Sequence, residues 1–140
     1  MDQSVRDVMT PNPINVDVDS SVLDAARMMR DKDIGDVIVL EKNRLCGILT
    51  DRDIVVRALA QGADPARTKV GDICSRELTT VSPSASAAQV IQMMRAKAIR
   101  RMPVVEEGGQ VVGIVSLGDL AVERDPRSVL GEISAAPPNV

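Results

Sequence analysis

Hydrophobic positions along the chain change period several times, and the order of those changes recurs. Val22, Ala25, Ala26 and Met29 are spaced for the buried face of an amphipathic helix, and Val90, Met93 and Met94 trace a second one as far as Lys97. Ser86 followed by Gln89 is a capping-box signature at the start of that second helix. Each helix leads into a short apolar run, Val37–Leu40 or Met102–Val105. A polar turn follows (41–44 or 106–110), then another apolar run, Leu45–Leu49 or Val111–Val115, so each set reads as a β-hairpin. Short β segments are expected at Ile14–Val18 and Thr79–Ser82, each behind a lead-in, Val5–Thr10 or Val70–Ser75. A last helix is expected to start at Thr50 in one set and Ser116 in the other. The run Gln61-Gly62-Ala63-Asp64-Pro65 breaks the chain between the sets. Beyond Arg124 the tail carries Pro126, a short helix expected near Ser128–Ile133, and Pro137-Pro138.

The two sets are a repeat. Val5, Asp7, Val16, Ser21, Met28, Met29, Arg30, Lys32, Ile34, Val39 and Glu41 all recur 65 residues later. One residue is added at the Gly108-Gly109 turn, and Gly47, Ile48 and Asp53 then recur 66 residues later. The boundaries expected from this are a first unit at 5–62, a second at 66–124 and a tail at 125–140. A unit of about 60 residues buries too little surface to be comfortable alone, so the two halves are expected to pack together about a pseudo-twofold axis.

Composition narrows the chemistry. The 140 residues include no Phe, Tyr, Trp or His. That excludes imidazole-based catalytic triads, imidazole metal ligands, aromatic stacking platforms for unpaired bases, and aromatic cages. The core must be built from Val, Ile, Leu, Ala and the seven Met; the pairs Met28-Met29 and Met93-Met94 read as packing residues. Net charge is −3, which argues against broad nucleic-acid binding. Residues 1–65 carry 8 basic and 12 acidic side chains (net −4), while 66–140 carry 9 and 8 (net +1), so an anionic ligand finds the second half friendlier. Asp17, Asp19, Asp31 and Asp33 read as a solvated face without the spacing of a calcium loop. There is no apolar run of membrane-spanning length and no signal-peptide pattern at the N-terminus. Cys46 and Cys74, with no Cys-x-x-Cys, read as reduced buried thiols of a cytoplasmic protein, with a disulfide between them as the lesser alternative on spacing alone.

The candidate chemistry sits after each hairpin. There the pattern Gly, apolar, any, Ser/Thr, any, any, Asp occurs as Gly47-Ile48-Leu49-Thr50-Asp51-Arg52-Asp53 and Gly113-Ile114-Val115-Ser116-Leu117-Gly118-Asp119. A hydroxyl and a carboxylate three residues apart share one face of a first helical turn. The carboxylate can accept from a ribose diol, and the hydroxyl with the N–H groups of the helix start can meet a phosphate. The same spacing is also a helix cap, and the two readings are compatible. Gly118 is unusual at a helix start and could let a ligand approach the backbone.

These elements resemble a tandem pair of cystathionine-β-synthase-type (CBS) domains. The resemblance rests on Met9-Thr10-Pro11, on Ile99-Arg100-Arg101-Met102-Pro103-Val104, and on both Ser/Thr–Asp motifs; it covers residues 5 to about 123. It is closest to small stand-alone bacterial CBS-pair proteins, while similar pairs are embedded in inosine-monophosphate dehydrogenase and in the gamma subunit of AMP-activated protein kinase. It implies an α+β fold of two β-α-β-β-α units packed through their sheets with pseudo-twofold symmetry. It also implies clefts that take AMP, ADP, ATP, S-adenosylmethionine or NAD as a regulatory ligand rather than a cofactor.

By that resemblance Asp53 and Asp119 hold ribose hydroxyls, and Thr50 and Ser116 meet ribose or phosphate. Ile14, Ile34 and Ile48 line one adenine slot; Thr79, Ile99 and Ile114 line the other. Arg100 and Arg101 supply phosphate contacts, with Arg52 and Arg57 as lesser contributors. The first unit departs from the pattern: Gly35 and Asp36 stand where the second has the two arginines, Ile38 replaces the usual Pro, and Asp36 repels phosphate. Two unequal sites are therefore expected. The reading is a non-catalytic sensor module, homodimeric, acting on an unidentified regulated protein, without membrane or nucleic-acid partners. The alternative is a structural dimerisation or protein-interaction module with empty or vestigial clefts, favoured mildly by Asp36 and the missing Pro.

Overall fold

The structure, a computed structural model, describes residues 3–124. The tail, including the helix expected near Ser128–Ile133, lies outside the described residues. In chain order the elements are α1 (Val5–Val8), β1 (Thr10–Pro11), β2 (Asn15–Asp17), α2 (Val22–Lys32), β3 (Asp36–Glu41), β4 (Arg44–Thr50) and α3 (Asp51–Asp53), which runs into a π-helical stretch at Ile54–Leu59. Then come α4 (Val70–Ile73), α5 (Ala87–Lys97), β5 (Arg101–Val105), β6 (Val111–Ser116) and α6 (Leu117–Arg124). The architecture is mixed α+β, with two three-stranded sheets ordered β2-β3-β4 and β1-β6-β5.

The compact units are cut differently from the repeats. Residues 14–78 form one, and residues 3–13 pack with 79–124 in the other. Each lead-in has changed places. β1 pairs antiparallel with β6 through Thr10↔Ile114, and the corresponding lead-in of the second repeat meets β4 through Ser75↔Ile48. Burial drives the exchange: Val70 and Ile73 of α4 join Val22, Met29, Val39 and Leu49 in one core, while Val5 and Val8 of α1 join Val90, Met94, Met102 and Val115 in the other. The motif glycines let the lead-ins approach. A Cβ on Gly47 would stand 2.5 Å from the Ser75 carbonyl oxygen, and one on Gly113 would run into the Met9 side chain.

The expected helices and hairpins form. Ser21 caps α2 by accepting from the Asp24 N–H, and Ser86 with Gln89 makes the full reciprocal box on α5. Met29 and Met94 are core residues, with Met28 and Met93 packed at the edge. In the first hairpin Lys42 and Asn43 both take positive φ (51° and 65°), as a two-residue turn with the strand twist requires.

One expected strand does not form. Thr79–Ser82 contributes only a single parallel bridge, Val81↔Val104, where the first repeat has the strand β2. Two prolines account for it. In the first unit Ile38 N–H donates to the Ile14 carbonyl (3.0 Å) and Val18 N–H to the Leu40 carbonyl (2.8 Å). The positions matching Ile38 and Val18 are Pro103 and Pro83, which have no N–H to give. Only the bonds of Val81 remain, to the Pro103 carbonyl and from Val105 N–H.

Candidate functional site

In both units the hairpin's second strand ends at the hydroxyl residue and turns straight into a helix. Thr50 and Ser116 keep extended or strand conformation, and the next residue is helical, so the first backbone N–H groups of each helix need acceptors. The motif supplies them. Asp53 N–H donates to Thr50 Oγ1 (3.0 Å) while Thr50 N–H donates to Asp53 Oδ2 (3.0 Å). Asp119 N–H donates to Ser116 Oγ (3.0 Å) while Ser116 N–H donates to Asp119 Oδ2 (3.0 Å). Both motifs are therefore full capping boxes, and each Asp has one carboxylate oxygen engaged in its box.

A second bond locks each junction to the segment before the hairpin. Asp51 N–H donates to the Gly35 carbonyl (2.9 Å), and Leu117 N–H donates to the Arg100 carbonyl (2.7 Å). The helix-start N–H groups expected to meet phosphate are thus mostly taken. In the first junction all four from Thr50 to Asp53 have acceptors, because Arg52 N–H donates to Asp51 Oδ1 (2.8 Å). In the second junction the residue matching Asp51 is Leu117, which carries no acceptor, and the N–H matching that of Arg52 belongs to Gly118.

The strand register sets what faces each hydroxyl. Arg101 pairs with Ser116 in the second junction, whereas Asp36 pairs with Thr50 in the first. Over matched positions, the second junction holds Arg100, Arg101 and Asp119, a formal +1; the first holds Asp36, Asp51 and Asp53 against Arg52, a formal −2. Arg57, though exposed, is engaged within its own unit, 3.7 Å from Asp53 Oδ1 and donating to the Ile73 carbonyl at 3.3 Å. Asp53 is buried and Asp119 half-buried; Arg100 and Arg101 are exposed.

The expected apolar lining residues sort by unit. Ile14 and Ile48 flank Ile38 across the first sheet, through the Ile14 carbonyl and the Ile38↔Ile48 register. Ile34 is half-buried beside Gly35, held by its N–H to the Met29 carbonyl (3.0 Å). In the other unit Ile114 lies across from Pro103, and Ile99 is half-buried, its N–H on the Met94 carbonyl (3.1 Å). Thr79 is half-buried and lacks the ladder bond that anchors Ile14, because Pro103 cannot donate. Asp51 has a part the sequence reading missed: its carboxylate caps Arg52 N–H and lies against Gly35, where an added Cβ would stand 3.1 Å from Oδ2. An acid at the first helical position was the signal for it. Among the described residues no group of three or more Cys, Asp or Glu could hold a metal ion, and no helix is long and apolar enough to cross a membrane.

Known proteins are similar to this chain in sequence and fold. The CBS domain protein YhcV of Bacillus subtilis is 40% identical over 121 residues, covering 86% of this chain and 85% of its own length. Hypoxic response protein 1 of Mycobacterium tuberculosis is 35% identical over 119 residues, covering 84% and 82%. Its crystal structure, with two coordinated zinc ions, superposes with a TM-score of 0.76. The CBS domain pair of protein MJ0100, solved with 5′-methylthioadenosine and S-adenosyl-L-methionine, has a TM-score of 0.79 at 26% identity, covering 91% of this chain and all of that one. Inosine-5′-monophosphate dehydrogenase of Nitrosopumilus maritimus matches over only 24% of its length. The family model for the CBS domain matches twice, at residues 5–59 and 70–124, and the chain belongs to the CBS-domain family as a tandem pair.

Proposed function

We propose that this CBS pair is a non-catalytic regulatory module that binds an adenosine-containing ligand, with the phosphate-bearing or cationic-contact role concentrated at the second junction. The observation that carries it is the pairing of Arg101 with Ser116 beside the Asp119 box, set against Asp36 at the matching place in the first. Asp119 Oδ1 lies outside the capping bonds and suits a ribose hydroxyl; Arg100 and Arg101 suit a phosphate or carboxylate. Ile99 and Ile114 offer aliphatic contact to a base in a chain that has no aromatic side chain. The ligand complex of the related MJ0100 pair supports this class of ligand. The reading places the protein in the cytoplasm, in keeping with two free thiols.

The test is a thermal-shift panel of AMP, ADP, ATP, S-adenosylmethionine and NAD. A ligand at a hundred times its Kd adds about 2.7 kcal/mol of stability. Asp119→Asn is the informative variant, because an amide oxygen still caps Ser116 N–H but loses the charge and half the acceptor capacity. The expected result is a normal melting temperature with a lost ligand response. No response to any member of the panel in the unaltered protein overturns the reading.

A second reading, a module for self-association, is favoured by the π-helical stretch. Val55, Val56 and Leu59 are exposed there, Leu59 by 68%. A homodimer burying these side chains is expected, and sedimentation velocity of Leu59→Glu against the unaltered protein tests it.

A further inference from the structure

Cys46 and Cys74 are 28 residues apart in sequence, yet the fold brings them to one place. Cys46 is the extra residue of a β-bulge: Val39 pairs with Gly47 and Leu40 with Leu45, so Cys46 has no cross-strand partner. Cys74 follows α4 and precedes the Ser75 bridge onto Ile48 of the same strand. Gly47 stands between them, and a Cβ there would come within 3.0 Å of Cys74 Sγ. Both sulfurs belong to one apolar cluster, Cys74 buried and Cys46 packed against it while half-exposed. Arg76 closes the arrangement. Its guanidinium donates through Nη1 to Cys46 Sγ (3.0 Å) and through Nη2 to the Gly71 carbonyl (2.9 Å), the carbonyl that Cys74 Sγ also approaches (4.0 Å).

The matching positions of the other unit are Val112, Met9 and Pro11, so the thiol pair and its cation belong to one unit only. Cys46 opens on a surface groove of about 680 Å³ whose walls include Lys42, Arg44 and Arg76; Glu41 also lines it, its Oε2 4.0 Å from Cys46 Sγ and accepting from the thiol. A guanidinium on a sulfur stabilises the negative charge that an attacking thiolate carries, and an accessible sulfur in a cationic groove beside a second thiol is the setting of an oxidisable cysteine.

We propose that Cys46 and Cys74 are a peroxide-oxidisable thiol pair, with Cys46 as the attacking sulfur, Arg76 as its positioning cation and Cys74 as the resolving thiol. The Cys46 thiolate attacks the terminal oxygen of a hydroperoxide; the S–O bond forms, the O–O bond breaks, and the leaving alkoxide takes up the proton that the thiol lost. Cys74 then attacks the Cys46 sulfenic sulfur; the S–S bond forms, the S–O bond breaks, and the departing hydroxide takes the Cys74 proton as water. Two thiols are oxidised by two electrons, and one hydroperoxide is reduced to an alcohol, or to water when the oxidant is hydrogen peroxide. The order of roles follows access: Cys46 reaches the groove and Cys74 does not. Burial pushes the Cys74 thiol up from its ordinary value of 9.0, as does the neighbouring Cys46, against a pull downward from Arg76; that suits a sulfur that waits as a thiol.

The experiment treats the reduced full chain with hydrogen peroxide and follows intact mass and a non-reducing peptide map. The expected product loses two hydrogens, carries a Cys46–Cys74 cross-link within one chain, and returns to the starting mass with dithiothreitol. With Cys74→Ser, and separately Cys74→Ala should one variant fold poorly, Cys46 accumulates as a sulfenic acid trapped by dimedone. Arg76→Ala slows Cys46 oxidation at least about tenfold, and Arg76→Lys restores part of the rate. A cross-link only between chains, dimedone on Cys74 rather than Cys46, or oxidation no faster than that of free cysteine overturns the proposal.

Discussion

The two helix-start junctions share a backbone and differ in charge. Thr50–Asp53 and Ser116–Asp119 make the same reciprocal cap at the same distances, and each is tied by its next N–H to the residue before the hairpin. Around that common frame the first carries Asp36 and Asp51 where the second carries Arg101 and Leu117. The capping chemistry is thus a requirement of the fold, present twice because two helices begin there. The basic strand start is not required by the fold, since the first unit forms its hairpin without it. What the repeats share at these junctions is what the fold requires, and the difference in charge is free to serve something else.

The glycines test the packing half of that comparison and carry the largest expected effect. Gly47→Ala directs a methyl at the Ser75 backbone oxygen, which cannot move without breaking the Ser75–Ile48 bridge. Gly113→Ala meets first the Met9 thioether, the flexible end of a side chain. Chemical denaturation should show a loss of about 3 kcal/mol for the first and about 1 kcal/mol for the second, the range of core overpacking. Equal losses would mean that the lead-ins are not held as the structure has them.

The charge half is tested at the two register-matched positions. Arg101→Ala should weaken a phosphate-bearing ligand by about 2 kcal/mol, roughly thirtyfold, as expected for a charge-assisted contact. Asp36→Ala should leave that ligand's affinity unchanged or slightly raised, since it removes a negative charge. Isothermal titration on both variants reads the difference directly. The smallest effect is the symmetric one. Thr50→Ala and Ser116→Ala should each cost about 1 kcal/mol of stability in urea unfolding, the usual loss of a side-chain cap. Unequal losses would indicate that one hydroxyl does something besides capping.

Much of this was legible in the sequence because it is local. Ser86–Gln89, Thr50–Asp53 and Ser116–Asp119 are contacts over three residues, and helical geometry brings such residues together wherever a helix begins. The hairpins are equally local. The missing strand at Thr79–Ser82 was not legible, although Pro83 and Pro103 are plain to see. Their effect depends on the register that puts them where N–H donors are needed.

The chain by itself determined the repeat, the order of its elements, the aliphatic core imposed by the lack of aromatics, and the caps at each helix start. Those are matters of period and short-range stereochemistry. Tertiary structure decided that each lead-in packs in the unit of the other repeat, because an isolated hairpin and helix leave an apolar face that only a distant segment covers. It decided that Arg101 faces Ser116 while Asp36 faces Thr50. It also brought Arg76 and Cys74 to Cys46 across some thirty residues, a meeting that depends on a bulge, a glycine and a bridging strand together.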